Sequence, residues 1–171
     1  SYVRQDSLQK PPLAAKARIQ GDPCRHRQVR GGDLRRKPML ADPHRYVLLE
    51  HFGAPDDPRG CHLDLLLEDG DSCRSWRLDA IPVLNGPAQS ATPLPPHRLV
   101  WLDRQAAAVS GGRGWARRVV AGTYRGNLPA AADQPVNLEL TGMAGIGMPE
   151  PVYVSLSDGL CRFSQSSRSQ T

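Results

Sequence analysis

Apolar and polar positions fall into a regular order from Arg45 onward. Residues 46–51 (Tyr-Val-Leu-Leu-Glu-His) and 61–68 are apolar runs of strand length, and 72–78 reads as a third strand. Phe52 to Gly60 is rich in Pro, Gly and Asp and predicts a loop. Asp69-Gly70-Asp71 predicts a tight turn. Further strands are expected at 97–102, 115–120, 122–125, 136–140, 152–156 and 160–163. Residues 80–96 read as a proline-punctuated loop, and a Gly-rich turn separates 136–140 from 152–156. Many short strands without a long amphipathic helix predict an all-β sandwich or barrel. The fold expected is a compact β-barrel of short, mostly antiparallel strands, with polar residues aimed inward near one mouth.

Composition supports this reading. Sixteen Pro and sixteen Gly, with 5% aromatic residues, favour turns and short strands. A chain of 171 residues suits one domain with one sizeable core. Before residue 43 the pattern differs: apolar residues are sparse, and Pro11-Pro12, Asp22-Pro23, Gly31-Gly32 and Lys37-Pro38 interrupt them. Residues 1–45 hold eleven Lys or Arg against four acids, a balance of +7, while the remainder stands at −2. The expectation is a disordered basic arm over 1–42, a domain over 43–165 and a flexible tail over 166–171. Such an arm either neutralises nucleic-acid phosphates or is a solvated tail without a partner. No apolar run matches a membrane span or signal peptide, so a soluble, cytoplasmic protein is expected. Cys24, Cys61, Cys73 and Cys161 have no CxxC or zinc-finger spacing and read as reduced thiols.

His51, His62 and Asp64 are the leading candidates for chemistry. Strand side chains two apart share a face, so His62 and Asp64 point the same way, and a hairpin brings His51 beside them. Two nitrogens and one oxygen suit a divalent transition metal such as manganese or zinc. Taken singly, each is as readily a satisfied structural residue. Glu68 lies on the same strand face and reads as a solvated charge near the turn. His97 opens a later strand and is a candidate phosphate donor or general acid, or a plain surface histidine. Arg113 and Arg117 are candidate phosphate ligands, although Arg117 and Arg118 must face opposite sides. Ser110-Gly-Gly-Arg-Gly114 is a weak phosphate-loop signal, because no helix follows it. Trp76, Trp101 and Trp115 read as core, and His26 and His44 belong to no constellation.

The ordered segments Tyr46-Val-Leu-Leu-Glu-His51, His62-Leu-Asp64-Leu-Leu-Leu-Glu-Asp-Gly, Ser75-Trp-Arg-Leu, His97-Arg-Leu-Val-Trp-Leu-Asp103, Val109-Ser-Gly-Gly-Arg-Gly and Ala121-Gly-Thr-Tyr124 carry a family likeness. The chain resembles the N-terminal 3′-phosphoesterase domain of bacterial ATP-dependent DNA ligase D, and more closely its stand-alone homologues. The likeness covers residues 45–125 well and the later strands loosely. It implies a manganese-dependent hydrolase that trims 3′-phosphates and 3′-ribonucleotides from DNA or RNA–DNA primer ends in DNA repair. End-joining proteins would be partners, with no membrane and a monomeric state. It implies metal ligands at His51, His62 and Asp64, catalytic roles for His62 and His97, and phosphate contact at His97. Ligase-fused members carry an arginine where this chain has Leu66, and an aromatic hydroxyl where it has Trp101. Losing that arginine predicts weaker phosphate binding unless Arg113 or Arg117 compensates, and it keeps a non-catalytic end-binding or partner-binding module as the alternative. Deleting residues 1–42 is expected to lower DNA affinity and flatten its salt dependence, checked by titrating labelled DNA at several salt concentrations.

Overall fold

In the computed structural model of the chain, the described residues are 43–167, so the expectations for the arm and for residues 168–171 lie outside them. The strands are β1 (His44–Phe52), β2 (Cys61–Asp69), β3 (Ser72–Leu78), β4 (Gln89–Arg98), β5 (Ala106–Ala108), β6 (Trp115–Arg125), β7 (Val136–Thr141), β8 (Val152–Ser157) and β9 (Leu160–Ser164). Two short 3₁₀ turns, Leu99–Leu102 and Met143–Ile146, interrupt them. Every described pairing is antiparallel. The sheet order is β1-β2-β3-β4-β9-β8-β7-β6-β5, and β1 also pairs with β6.

β1 and β2 are apolar along most of their length because both of their faces are buried. Tyr46, Leu48, Leu65 and Leu67 enter a large core with Trp76, Leu78 and residues of β7, β8 and β9 such as Leu140, Val154 and Phe163. Val47, Leu49 and Leu66 face a smaller core with Cys73, Trp101, Leu102 and Ala116. By the strand period, His62 and Asp64 share the face of Leu66, and His51 shares that of Leu49. The polar trio therefore belongs to the smaller core's side.

This arrangement corrects the expected barrel. The β1–β6 ladder rolls the sheet, but the sheet does not close into a barrel. β4 meets β9 only through Gln89 and Ser90, and β5 ends the strand order as an edge. The physical reason is that β9 starts at Leu160, directly after its turn from β8, and so ends beside Ser90, leaving Pro93, Pro95 and Pro96 to run on alone along that edge of β4. They lack the amide donors a second neighbour would need. The polar trio accordingly lies on the smaller core's side of the sheet and not toward the large core.

Other expectations change for local reasons. Residues 80–96 are not all loop: β4 begins at Gln89, and its prolines are tolerated beside an edge that is mostly unpaired. The strand expected over 97–102 ends at Arg98, and the 3₁₀ turn after it buries Trp101 and Leu102. The two strands expected between 115 and 125 are the single β6, whose pairing with β1 shifts register between Leu48 and Leu49. That bulge leaves Ala116 on the smaller core's side and turns Val120 to the large core. The alanine strand β5 was not expected at all. Trp115 is half exposed at 50% rather than core.

Among the described residues no helix is long and apolar enough to cross a membrane. Cys61, Cys73 and Cys161 are free thiols, as expected. Burial pushes Cys161 up to about 12 and Cys73 up to about 11. One close approach fixes how β6 crosses toward β7. A Cβ at Gly122 would lie 1.9 Å from the Thr141 carbonyl oxygen. Gly122→Ala is expected to cost more than about 2 kcal/mol of stability, measured as a lowered urea midpoint at an unchanged slope.

Candidate metal centre

The β1–β2 ladder sets His51 directly opposite His62, with ring centroids 4.7 Å apart. Asp64 stands two residues along β2, opposite Leu49. All three side chains are buried, and one ligand atom from each lies within 4.8 Å of the others. The sequence-predicted trio is thus brought together.

The hydrogen bonding around the trio decides its chemistry. His51 Nε2 lies 2.7 Å from the carbonyl oxygen of Arg113. A carbonyl only accepts, so this nitrogen carries the proton, and in the neutral ring Nδ1 holds a lone pair. That Nδ1 faces Asp64 Oδ2 at 3.2 Å. On the other ring, His62 Nδ1 lies 2.7 Å from Asp57 Oδ2 and donates to it. His62 Nε2 then aims its lone pair at Asp64 Oδ1, 3.3 Å away, and neither of these two atoms has a hydrogen-bond partner. Two imidazole lone pairs and a carboxylate thus converge with no hydrogen to share among neutral rings. Only a cation, whether a proton or a metal ion, relieves the repulsion among buried acceptors. The residues fit a divalent metal held by His51, His62 and Asp64.

Both braces on the trio come from loops. The Phe52–Gly60 loop returns Asp57 to His62, and this hydrogen bond holds the Asp57 carboxyl below its ordinary value. The Ser110-Gly-Gly-Arg-Gly114 turn presents the Arg113 carbonyl to His51. Gly114 makes this possible. Its φ is +90°, and a Cβ there would lie 1.9 Å from the Phe52 carbonyl oxygen.

His51 and Asp64 line a cavity of about 290 Å³ together with His97, Arg77, Arg113 and Trp101. His97 lies opposite Cys73 across the β3–β4 ladder. Its Nδ1 is buried without a hydrogen-bond partner. Burial lowers the His97 pKa below the usual histidine value, while the nearby Asp64 charge acts to raise it. His62 is buried and does not line the cavity.

No protein-family model matches the chain, and neither does any curated protein.

The remaining candidates divide clearly. Arg113 reaches the cavity wall, its Nε donating to the Ser110 carbonyl at 2.7 Å. Arg117 does not reach it: it pairs with Glu50 at 2.6 Å and lies over the Phe52 ring. It stands opposite Glu50 in the ladder, on the other face from His51 and away from this cavity. Glu68 pairs with Arg45 and His44, as a charge near the turn. Leu66 is wholly buried in the smaller core.

Asp57 and Arg77 were missed. Asp57 carried no periodic signal because it lies in an irregular loop. Arg77 was legible: a tight turn at 69–71 pairs Asp69 with Ser72, and counting back along that hairpin sets Arg77 opposite Asp64. Asp57→Asn is expected to lower manganese or zinc affinity about 10–100-fold with the thermal midpoint of the metal-free protein retained, and His62→Ala to abolish binding. Calorimetric titration with each metal checks both.

Proposed function

We propose that this domain is a metal-dependent phosphoesterase acting on 3′ ends of nucleic acid, removing a terminal phosphate or ribonucleotide. The observation that carries the reading is the donor-starved His51–His62–Asp64 cluster, set against a cavity with His97 and Arg113 on its wall. The ordered likeness to the ligase 3′-phosphoesterase domain supports the substrate class. Manganese is the metal favoured by that likeness; bound at the trio, it would polarise a phosphoryl oxygen and acidify water.

The chain's own residues do the rest. Asp57 and the Arg113 carbonyl hold the two imidazoles in one tautomer and orientation, so the metal side is preorganised. His97, whose pKa burial lowers below the usual histidine value, donates a hydrogen bond to a phosphate oxygen or to the departing sugar oxygen. Arg113 adds positive charge at the cavity wall. In the net reaction water adds at phosphorus and the bond to the 3′ oxygen breaks. The sugar leaves with a 3′-hydroxyl, and phosphate is released.

A second reading is a metal-containing module that grips an end without cleaving it. Leu66, packed in the core where the related domains carry an arginine, favours it. Salt-dependent DNA binding without turnover would establish it. For the catalytic reading, manganese is expected to bind at about one equivalent and to support phosphate release from a 3′-phosphate primer. His97→Ala should slow release by about 10²–10⁴-fold while leaving metal stoichiometry unchanged. Absence of release from both 3′-phosphate and 3′-ribonucleotide primers would overturn that reading.

A further inference from the structure

We propose that Arg77 is the anion-binding guanidinium of this cavity, selecting a dianionic terminal phosphate, with Asp56 resting against it as a placeholder. The inference builds on the reading of the cavity as a phosphate site and adds the residue that recognises the ligand.

Four observations converge on Arg77. It stands directly opposite Asp64 in the β2–β3 ladder, so it shares the trio's face of the sheet. It lines the same cavity as His51, Asp64 and His97. Its Nε is buried and has no hydrogen-bond partner. Its Nη2 meets the exposed Asp56 only at 3.5 Å.

Arg118 also has a buried Nε without a partner, but its Nη2 is held closely, as are the guanidinium groups of Arg117 and Arg45. Arg117 meets Glu50 at 2.6 Å, Arg118 the Leu102 carbonyl at 2.7 Å, and Arg45 meets Asp103 at 2.8 Å. A half-buried guanidinium with an idle Nε and one long contact is desolvated without full return. The ligand that completes it offers two oxygens to the Nε–Nη2 edge, which is the geometry of a phosphate or carboxylate. The neighbouring His97 and Arg113, together with the cation required by the trio, favour the more highly charged of these, a phosphomonoester dianion.

This also accounts for Leu66. The related ligase-fused domains place an arginine on the metal aspartate's own strand. Here that position is sealed in the smaller core, and the guanidinium comes from the adjacent strand, across from Asp64 rather than two residues beyond it. Asp56 and Asp57 are consecutive in one loop. Asp57 stays on His62 at 2.7 Å, whereas Asp56 is held loosely enough for an anion to displace it.

The test is titration of the full chain with inorganic phosphate at constant ionic strength, followed calorimetrically with and without manganese. Arg77→Gln should weaken phosphate binding about tenfold or more. Arg77→Lys should retain part of it, because an ammonium supplies charge without the fork. Asp56→Asn should tighten it several-fold, and manganese affinity should stay unchanged in all three. Wild-type affinity in Arg77→Gln, or no phosphate binding by the wild type, overturns the proposal. If Arg77→Gln melts before the titration, Arg77→Lys and Asp56→Asn decide: weaker binding in the first with tighter binding in the second supports it, and no change in either overturns it. Arg77-dependent phosphate binding without manganese binding or 3′-phosphate release would retire the function proposed above and leave the role of Arg77 standing.

Discussion

β1 and β2 have no free face. Tyr46, Leu48, Leu65 and Leu67 are buried on one side, and Val47, Leu49 and Leu66 on the other. A one-residue slip in either strand would exchange these sets between cores of different size and shape. It would also send His62 and Asp64 to the opposite face and bring Leu63 and Leu65 to theirs. The register that places two imidazoles around one carboxylate is therefore fixed by leucine packing, with no need for the polar residues to find one another. The metal side is an extension of the same ladder, one or two pleats beyond the last apolar pair.

Polar residues so placed carry a desolvation cost, and the fold meets it unevenly. The outer nitrogens of both rings are hydrogen-bonded, one to Asp57 and one to the Arg113 carbonyl. The inner atoms are left as acceptors facing acceptors. Such an arrangement is unfavourable in the resting protein and favourable once a cation is present, which is how a binding site differs from a structural ion pair. His97 and Arg77 repeat the theme on the cavity wall, each with a buried nitrogen that lacks a partner.

The sequence made some of this legible and hid the rest for physical reasons. The first three strands could be read because their apolar runs are bounded by turn residues, and His51, His62 and Asp64 follow from those strands by simple alternation. The strand β4 was obscured by Pro93, Pro95 and Pro96, which look like loop residues until its edge is seen to be mostly unpaired. The same prolines lie past the start of β9 at Leu160, on the edge where the sheet stays open. Trp101 was read as part of a strand, but a 3₁₀ turn seats it in the smaller core. Asp57 depends on how an irregular loop folds back, which no period encodes.

The brace on His51 is a main-chain carbonyl rather than a side chain. Position 113 therefore has two separable duties: its backbone orients the His51 imidazole, and its side chain borders the cavity. Substitution at 113 can alter what the cavity accepts while the carbonyl remains in place, so long as Gly114 preserves the turn. Changes in what the cavity accepts are thereby decoupled from upkeep of the His51–His62–Asp64 cluster, and residue 113 is a point at which selection can act on one without disturbing the other.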